Sequence, residues 1–137
     1  MQTSTLLTAL SSSIDGNAAN HGGGVYARTS LSITLANSTS VEHNVAKDSG
    51  GGIRLEISST LTVANHTRIC SNTATAGPGG GIAASGESTI QLGPGVLTLC
   101  NNIASTDGVA CALLEASALI DDERLDVSGQ PVAPVRS

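Results

Sequence analysis

The chain has 137 residues, a formal charge of −5, 16 Gly, one Tyr and neither Phe nor Trp. This length fits one domain, and so few aromatics exclude an ordinary globular core of that size. The acidic balance leaves no basic footprint for nucleic acid or an anionic membrane. With only 12% charged residues, a polar surface has to come from Ser, Thr and Asn.

Met1 to Leu10 carry no Lys or Arg, and Thr and Ser interrupt their apolar content. They make a poor secretory signal, and no apolar run in the chain approaches a membrane span. A pattern then opens at Ile14-Asp15-Gly16-Asn17-Ala18-Ala19. It returns as Val41-Glu42-His43-Asn44-Val45-Ala46, Ile69-Cys70-Ser71-Asn72-Thr73-Ala74 and Leu99-Cys100-Asn101-Asn102-Ile103-Ala104. The first three copies are followed by the glycine blocks Gly22 to Val25, Gly50 to Ile53 and Gly79 to Ile82. The fourth keeps only Asp107-Gly108-Val109. The four Asn lie 27, 28 and 30 positions apart. Such a fixed period marks a solenoid, whose repeats bury their apolar faces against one another.

Within each repeat the apolar residues alternate with period two. Ile33 and Leu35 flank Thr34, Leu61 and Val63 flank Thr62, and Ile90 and Leu92 flank Gln91. This is the pattern of half-buried strands. One run follows the glycines, at Val25-Tyr26-Ala27, Ile53-Arg54-Leu55, Ile82-Ala83-Ala84 and Val109-Ala110-Cys111. A second covers Ser32 to Leu35, Thr60 to Val63 and Thr89 to Leu92, and a third ends in the Asn motif. The reading is an all-β parallel β-helix with three strands per turn and about four to five turns of roughly 28 residues. It forms a single domain over 1–120. Asp121-Asp122-Glu123 breaks the repeat, and 121–137, with Pro131 and Pro134, reads as an irregular tail.

Stacking brings equivalent residues about 4.7–4.9 Å apart. Asn17, Asn44, Asn72 and Asn102 are therefore expected to form a structural ladder of side-chain amides at one corner, where Asn also tolerates left-handed backbone. The glycines supply positive φ where the chain re-enters the first sheet. The Ala after each Asn reads as an inward position with room for a methyl. Asn37 and Asn65 form a second Asn column, which Gly93-Pro94-Gly95 replaces one repeat later. Both belong to sequons, Asn37-Ser38-Thr39 and Asn65-His66-Thr67, whose use an inward-facing ladder would prevent.

These motifs resemble the repeats of chlamydial polymorphic outer membrane proteins and similar right-handed β-helix proteins, over roughly Ile14 to Leu114. Those repeats carry Phe-x-x-Asn and Gly-Gly-Ala-Ile. Here aliphatic residues stand at the Phe position, and Gly stands where the family often has Ala. The resemblance implies a right-handed parallel β-helix solenoid of pectin-lyase-like fold in a surface or secreted setting. It also implies further turns in a longer parent protein, of which this chain would be a segment.

Cys70 and Cys100 fall in one column, close enough for a disulfide. They read either as that bridge or as two small, partly buried residues. Cys111 aligns with Ala27, Leu55 and Ala84, an inward column. Arg28 and Glu56 are expected neighbours on successive turns, an exposed ion pair of little value. His21, His43 and His66 fall in three columns. Asp15, Asp48 and Asp107 lie near the glycines, but the aspartate nonapeptide of calcium-binding β-rolls is absent. No catalytic, metal or cofactor residue is assigned. The regular exposed chemistry is a polar ladder: Ser32, Thr60 and Thr89 in one column, Thr34, Thr62 and Gln91 in the next. It reads as solvated surface or as a binding face for a glycan or cell-surface protein. An ice-binding face is a third reading, which Gln91 interrupts. The expected role is a non-enzymatic adhesion or recognition scaffold at the cell surface or outside the cell. The alternative is a degenerate polysaccharide-binding β-helix related to pectin-lyase-like enzymes.

Overall fold

The computed structural model describes residues 5–92, 97–105, 111–113, 118–121, 125–128 and 132–134, and the side chains of 6–91 and 98–105. The strands begin with β1 (Thr5–Leu10), β2 (Ser13–Asp15), β3 (Ala18–Ala19) and β4 (Val25–Arg28). They continue with β5 (Leu31–Ala36), β6 (Ser40–Glu42), β7 (Val45–Ala46) and β8 (Ile53–Glu56). Then come β9 (Thr60–Val63), β10 (Thr67–Cys70), β11 (Thr73–Ala74), β12 (Ile82–Ala84), β13 (Thr89–Leu92) and β14 (Leu97–Cys100). The last are β15 (Ile103–Ala104), β16 (Cys111–Leu113), β17 (Ala118–Asp121), β18 (Leu125–Ser128) and β19 (Val132–Pro134).

All pairings are parallel. Sheet A holds β1, β5, β9, β13 and β17, and sheet B holds β2, β6, β10, β14 and β18. Sheet C holds β3, β7, β11 and β15, and sheet D holds β4, β8, β12, β16 and β19. The chain visits A, B, C and D in turn and returns one strand spacing along the axis. The result is an all-β solenoid of about three turns, with about 28 residues per turn.

The coil has four strands per turn, where the sequence predicts three. The extra one is the two-residue strand after each ladder Asn. Parallel stacking leaves backbone N–H and C=O groups that need partners, so even this short step joins a ladder, Val45 to Thr73 and Ala46 to Ala74. A second difference lies in sheet D, where Cys111 stands opposite Ile82. The expected alignment of Cys111 with Ala84 is therefore two residues off. Val109 and Ala110, and the corner Gly93-Pro94-Gly95, lie outside the described residues. The stretch expected to be an irregular tail contains β18, paired with β14, and β19, paired with β16. Its acidic start enters sheet A, with Asp121 opposite Leu92.

Aliphatic columns fill the interior. Ile33, Leu61 and Ile90 stack in sheet A, Val41, Ile69 and Leu99 in sheet B, and Val25, Ile53 and Ile82 in sheet D, none more than 8% exposed. Each such side chain contributes about 1.5–3 kcal/mol by leaving water. Sheet C turns only methyls inward, with Ala46 and Ala74 buried. The corners use left-handed backbone. Between B and C the residue in that region is the one before each ladder Asn, Gly16, His43, Ser71 and Asn101, and not the Asn itself. Between C and D it is the first glycine of each block, Gly22, Gly50 and Gly79.

The ladder Asn use their side chains instead. Asn17 Nδ2 donates to Asn44 Oδ1 at 3.1 Å, Asn44 Nδ2 to Asn72 Oδ1 at 3.0 Å, and Asn72 Nδ2 to Asn102 Oδ1 at 3.1 Å. The same oxygens accept the backbone N–H of the preceding Asn at 2.9–3.0 Å. The second N–H of Asn44, Asn72 and Asn102 reaches the carbonyls of Ile14, Val41 and Ile69, each at 2.9 Å. Asn44 thus satisfies all four of its side-chain bonds while buried. Leucine at this position would remove the partners of the Ile14 carbonyl and of the Asn17 donors, and leave the Asn72 oxygen only the backbone N–H of residue 44. We expect Asn44→Leu to cost about 1–3 kcal/mol in denaturant unfolding. An unchanged midpoint would show that the ladder is not holding the corner.

Candidate functional site: a charge-free hydroxyl face

Sheet A carries the columns expected from the sequence. Ser32, Thr60 and Thr89 are register partners, as are Thr34, Thr62 and Gln91. Leu6 precedes the first column and Thr8 the second. The five hydroxyl residues are half-buried and Gln91 is exposed. No charged residue occurs in β1, β5, β9 or β13. This face presents neutral donors and acceptors at one strand spacing. Strands β1, β5, β9 and β13 place no ionisable side chain on it.

Among the described residues, the ion pairs formed by strand residues lie on the other faces. On sheet D the Glu56 carboxylate gathers three partners from two turns. Tyr26 donates its hydroxyl to Oε2 at 2.7 Å, Arg54 donates Nε and Nη2 to Oε1 at 3.2 and 3.1 Å, and Arg28 Nε lies 3.7 Å from Oε2. Arg54 also donates to Ser85 Oγ one turn on, at 3.1 Å. The expected Arg28–Glu56 pair is therefore one edge of a larger network. Burial pushes the Glu56 carboxyl up, but the Tyr26 hydroxyl and the two guanidiniums outweigh it and hold the group below its ordinary value. Burial, then Glu56, raises the Tyr26 hydroxyl. A carboxylate so fully engaged and kept ionised is a poor general acid.

Sheet B carries two of the three cysteines. Cys70 and Cys100 are register partners with Cα atoms 4.6 Å apart, and they form a disulfide. Earlier in the same column stand Asp15 and Glu42, and Arg68 Nε donates to Glu42 at 3.0 Å. Two histidines find partners that spacing alone does not reveal: His21 Nδ1 lies 3.1 Å from Asp48 Oδ2 and His43 Nδ1 3.1 Å from Asp15 Oδ1. Among the described residues no three His, Cys, Asp or Glu converge as metal ligands. Asp107 lies outside them. A shallow groove of about 410 Å³ on sheet C is lined by Ala18, Ala19, Asn20, Val45 and Lys47, a set without converging reactive groups. No helix among the described residues is long and apolar enough to cross a membrane.

Two further hydroxyl columns escaped the sequence reading. Between sheets A and B, Thr39 and Thr67 donate to the carbonyls of Ala36 and Ala64, both at 2.7 Å. Between D and A, Ser59 and Ser88 donate to the carbonyls of Glu56 and Ser85 at 2.8 and 2.7 Å. All four are fully buried. The signal that could reveal them is the recurrence of Ala-Asn-x-Thr at Ala36 and Ala64. Compared with known protein families, curated proteins and solved structures, the chain matches none.

The chain has three cysteines, so the bridged protein should show one free thiol when oxidised and denatured. Three free thiols after production in an oxidising compartment would rule the bridge out. For Glu56 the folded carboxyl is the stronger acid, so its stabilisation is complete above the ordinary 4.5 and is lost as pH falls through the folded value. Glu56→Gln should lower the unfolding midpoint at neutral pH, and the gap from wild type should close in strongly acidic solution. A gap independent of pH would exclude the charged network as its cause.

Proposed function

We propose that this chain is a non-enzymatic stretch of right-handed β-solenoid, of four to five turns, belonging to a surface or secreted protein. In this reading it is an adhesion or recognition scaffold of the kind found in polymorphic outer membrane proteins, and it works outside the cell or at its surface. The observation that carries the reading is the face of sheet A over β1, β5, β9 and β13, where small hydroxyl residues repeat in register and no strand carries a charged residue. Such a surface suits a neutral, repetitive partner such as a glycan or the polar surface of another protein. The Cys70–Cys100 disulfide supports the extracellular setting, because such bonds persist in oxidising compartments.

A second reading, a degenerate polysaccharide-binding relative of pectin-lyase-like enzymes, draws support from sheet D. Tyr26, the one residue among Phe, Trp and Tyr in the chain, lies 41% exposed beside two guanidiniums. An aromatic ring with a polar handle is a common platform for ligands.

The test is binding to immobilised glycans and to cells. Thr60→Lys with Thr62→Lys puts charge into both hydroxyl columns without touching the core. The expected result is a loss of affinity of about tenfold or more, equivalent to about 1.4 kcal/mol. Binding that survives this pair but falls with Tyr26→Ala assigns recognition to sheet D and supports the second reading. Neither reading gives turnover of polygalacturonate, and hydrolysis or elimination of it would overturn both.

A further inference from the structure

Asn37 and Asn65 sit one above the other where sheet A passes to sheet B, and both are exposed. Each adopts left-handed backbone, with φ of 55° and 53°. The sequence leaves open whether this column is glycosylated or laddered inward, and the inward arrangement that would block modification is not the one adopted. The contact from Asn65 Nδ2 to Asn37 Oδ1, at 3.3 Å, lies on the outside of the coil.

We propose that Asn37 and Asn65 are acceptor sites for N-linked oligosaccharides. The argument starts from the division of labour among the asparagines. Those of the amide ladder, buried at Asn44, Asn72 and Asn102, are each followed two places on by Ala: Ala19, Ala46, Ala74 and Ala104. The two exposed corner Asn are each followed two places on by Thr, which completes the acceptor motif. Asn44 commits both Nδ2 hydrogens inside the coil. Asn65 commits one, to Asn37.

The chemistry fits that difference. The Asn Nδ2 attacks C1 of an oligosaccharide carried on a lipid pyrophosphate. The N–C1 bond forms as the C1–O bond to the pyrophosphate breaks. The lipid pyrophosphate leaves with the electron pair, and the amide gives one proton to a base of the transferase. The glycosylated amide keeps one N–H, so Asn65 can still donate to Asn37. A ladder Asn would lose a bond that burial makes costly.

The fold also sets the order of events. Thr39 and Thr67 are fully buried, and their hydroxyls donate to backbone carbonyls. The hydroxyl that completes the motif is therefore committed once the corner closes, so transfer precedes folding of this edge. Both glycans then project from the edge that borders the hydroxyl face of sheet A.

This inference rests on the reading that the chain enters a secretory lumen. The experiment supplies that entry: the full chain is expressed behind a cleavable secretory leader in eukaryotic cells. Intact mass before and after enzymatic deglycosylation is then measured, with Asn-to-Asp conversion located by peptide mapping. Two glycans are expected on the wild type, one each on Asn37→Gly and Asn65→Gly, and none on the double variant. Glycine accepts the left-handed backbone, so these variants remove the acceptor and keep the corner. A secreted chain in which Asn37 or Asn65 stays unmodified overturns the proposal. Thiol counting on the same sample separates the two ideas, because a missing Cys70–Cys100 bridge counts against the extracellular reading and not against the acceptor sites.

Discussion

A buried amide ladder decides what the rest of each turn can be. The side chain of Asn44 fills the interior at the corner between sheets B and C, and Asn72 does so one turn on. The glycine run re-enters the coil directly over them. A Cβ at Gly24 would lie 3.0 Å from Asn44 Nδ2, and one at Gly52 would lie 3.0 Å from Asn72 Nδ2. The middle glycines are tighter still: a Cβ at Gly51 would meet the Gly80 carbonyl oxygen at 2.4 Å. No side chain fits beneath the strand, so Asn and Gly-Gly-Gly are two halves of one device. This is why they travel together in the sequence. The Ala two places after each Asn follows from the same crowding.

That crowding also explains where the larger side chains go. The interior admits columns of Val, Ile and Leu, and the narrow sheet C side admits only methyls. The single Tyr ring lies outside, on sheet D. There Tyr26 joins Arg28 and Arg54 in holding the Glu56 carboxylate. Charge is thus collected on sheets B and D by ion pairs that link successive turns. Strands β1, β5, β9 and β13 of sheet A carry no charged residue and need no such pairing. Those strands show Ser and Thr in register instead, and the proposed recognition role rests on them.

Much of this was legible because two periods coincide. Alternation with period two tells inward from outward, and the repeat of about 28 residues tells which residues stack. Together they place Ser32 over Thr60, Cys70 over Cys100 and Asn44 over Asn72. What stayed hidden lacks one of those signals. A two-residue strand such as Val45–Ala46 is too short to show alternation. The Thr39 and Ser59 hydroxyls bond to carbonyls three residues back, a local habit that any exposed Thr or Ser shares. The contact of Tyr26 with Glu56 is diagonal, since Tyr26 stands opposite Arg54 and Arg28 opposite Glu56. Reading columns alone finds the second pair and misses the first contact. The register at Cys111 was lost for another reason: the glycine block that anchors the alignment has decayed to Asp107-Gly108-Val109 in that repeat.

The disulfide shows how the coil combines covalent and non-covalent ties. Cys70 and Cys100 each stand two residues before a ladder Asn, Asn72 and Asn102. The bridge therefore spans the same two turns that the Asn72–Asn102 amide bond already aligns. It closes a loop of one turn, with a sequence separation of 30. Restricting the unfolded chain in this way stabilises by on the order of 3 kcal/mol. Because the ladder has set the register, the bridge does not have to select it. One turn earlier the equivalent position is Glu42, whose tie is the exposed Arg68 guanidinium, a pair worth about 0–1 kcal/mol. Along one outward column the restraint thus changes from a weak ion pair to a covalent bond. The turns joined through Cys70 and Cys100 should be the last part of that column to separate as the coil unwinds.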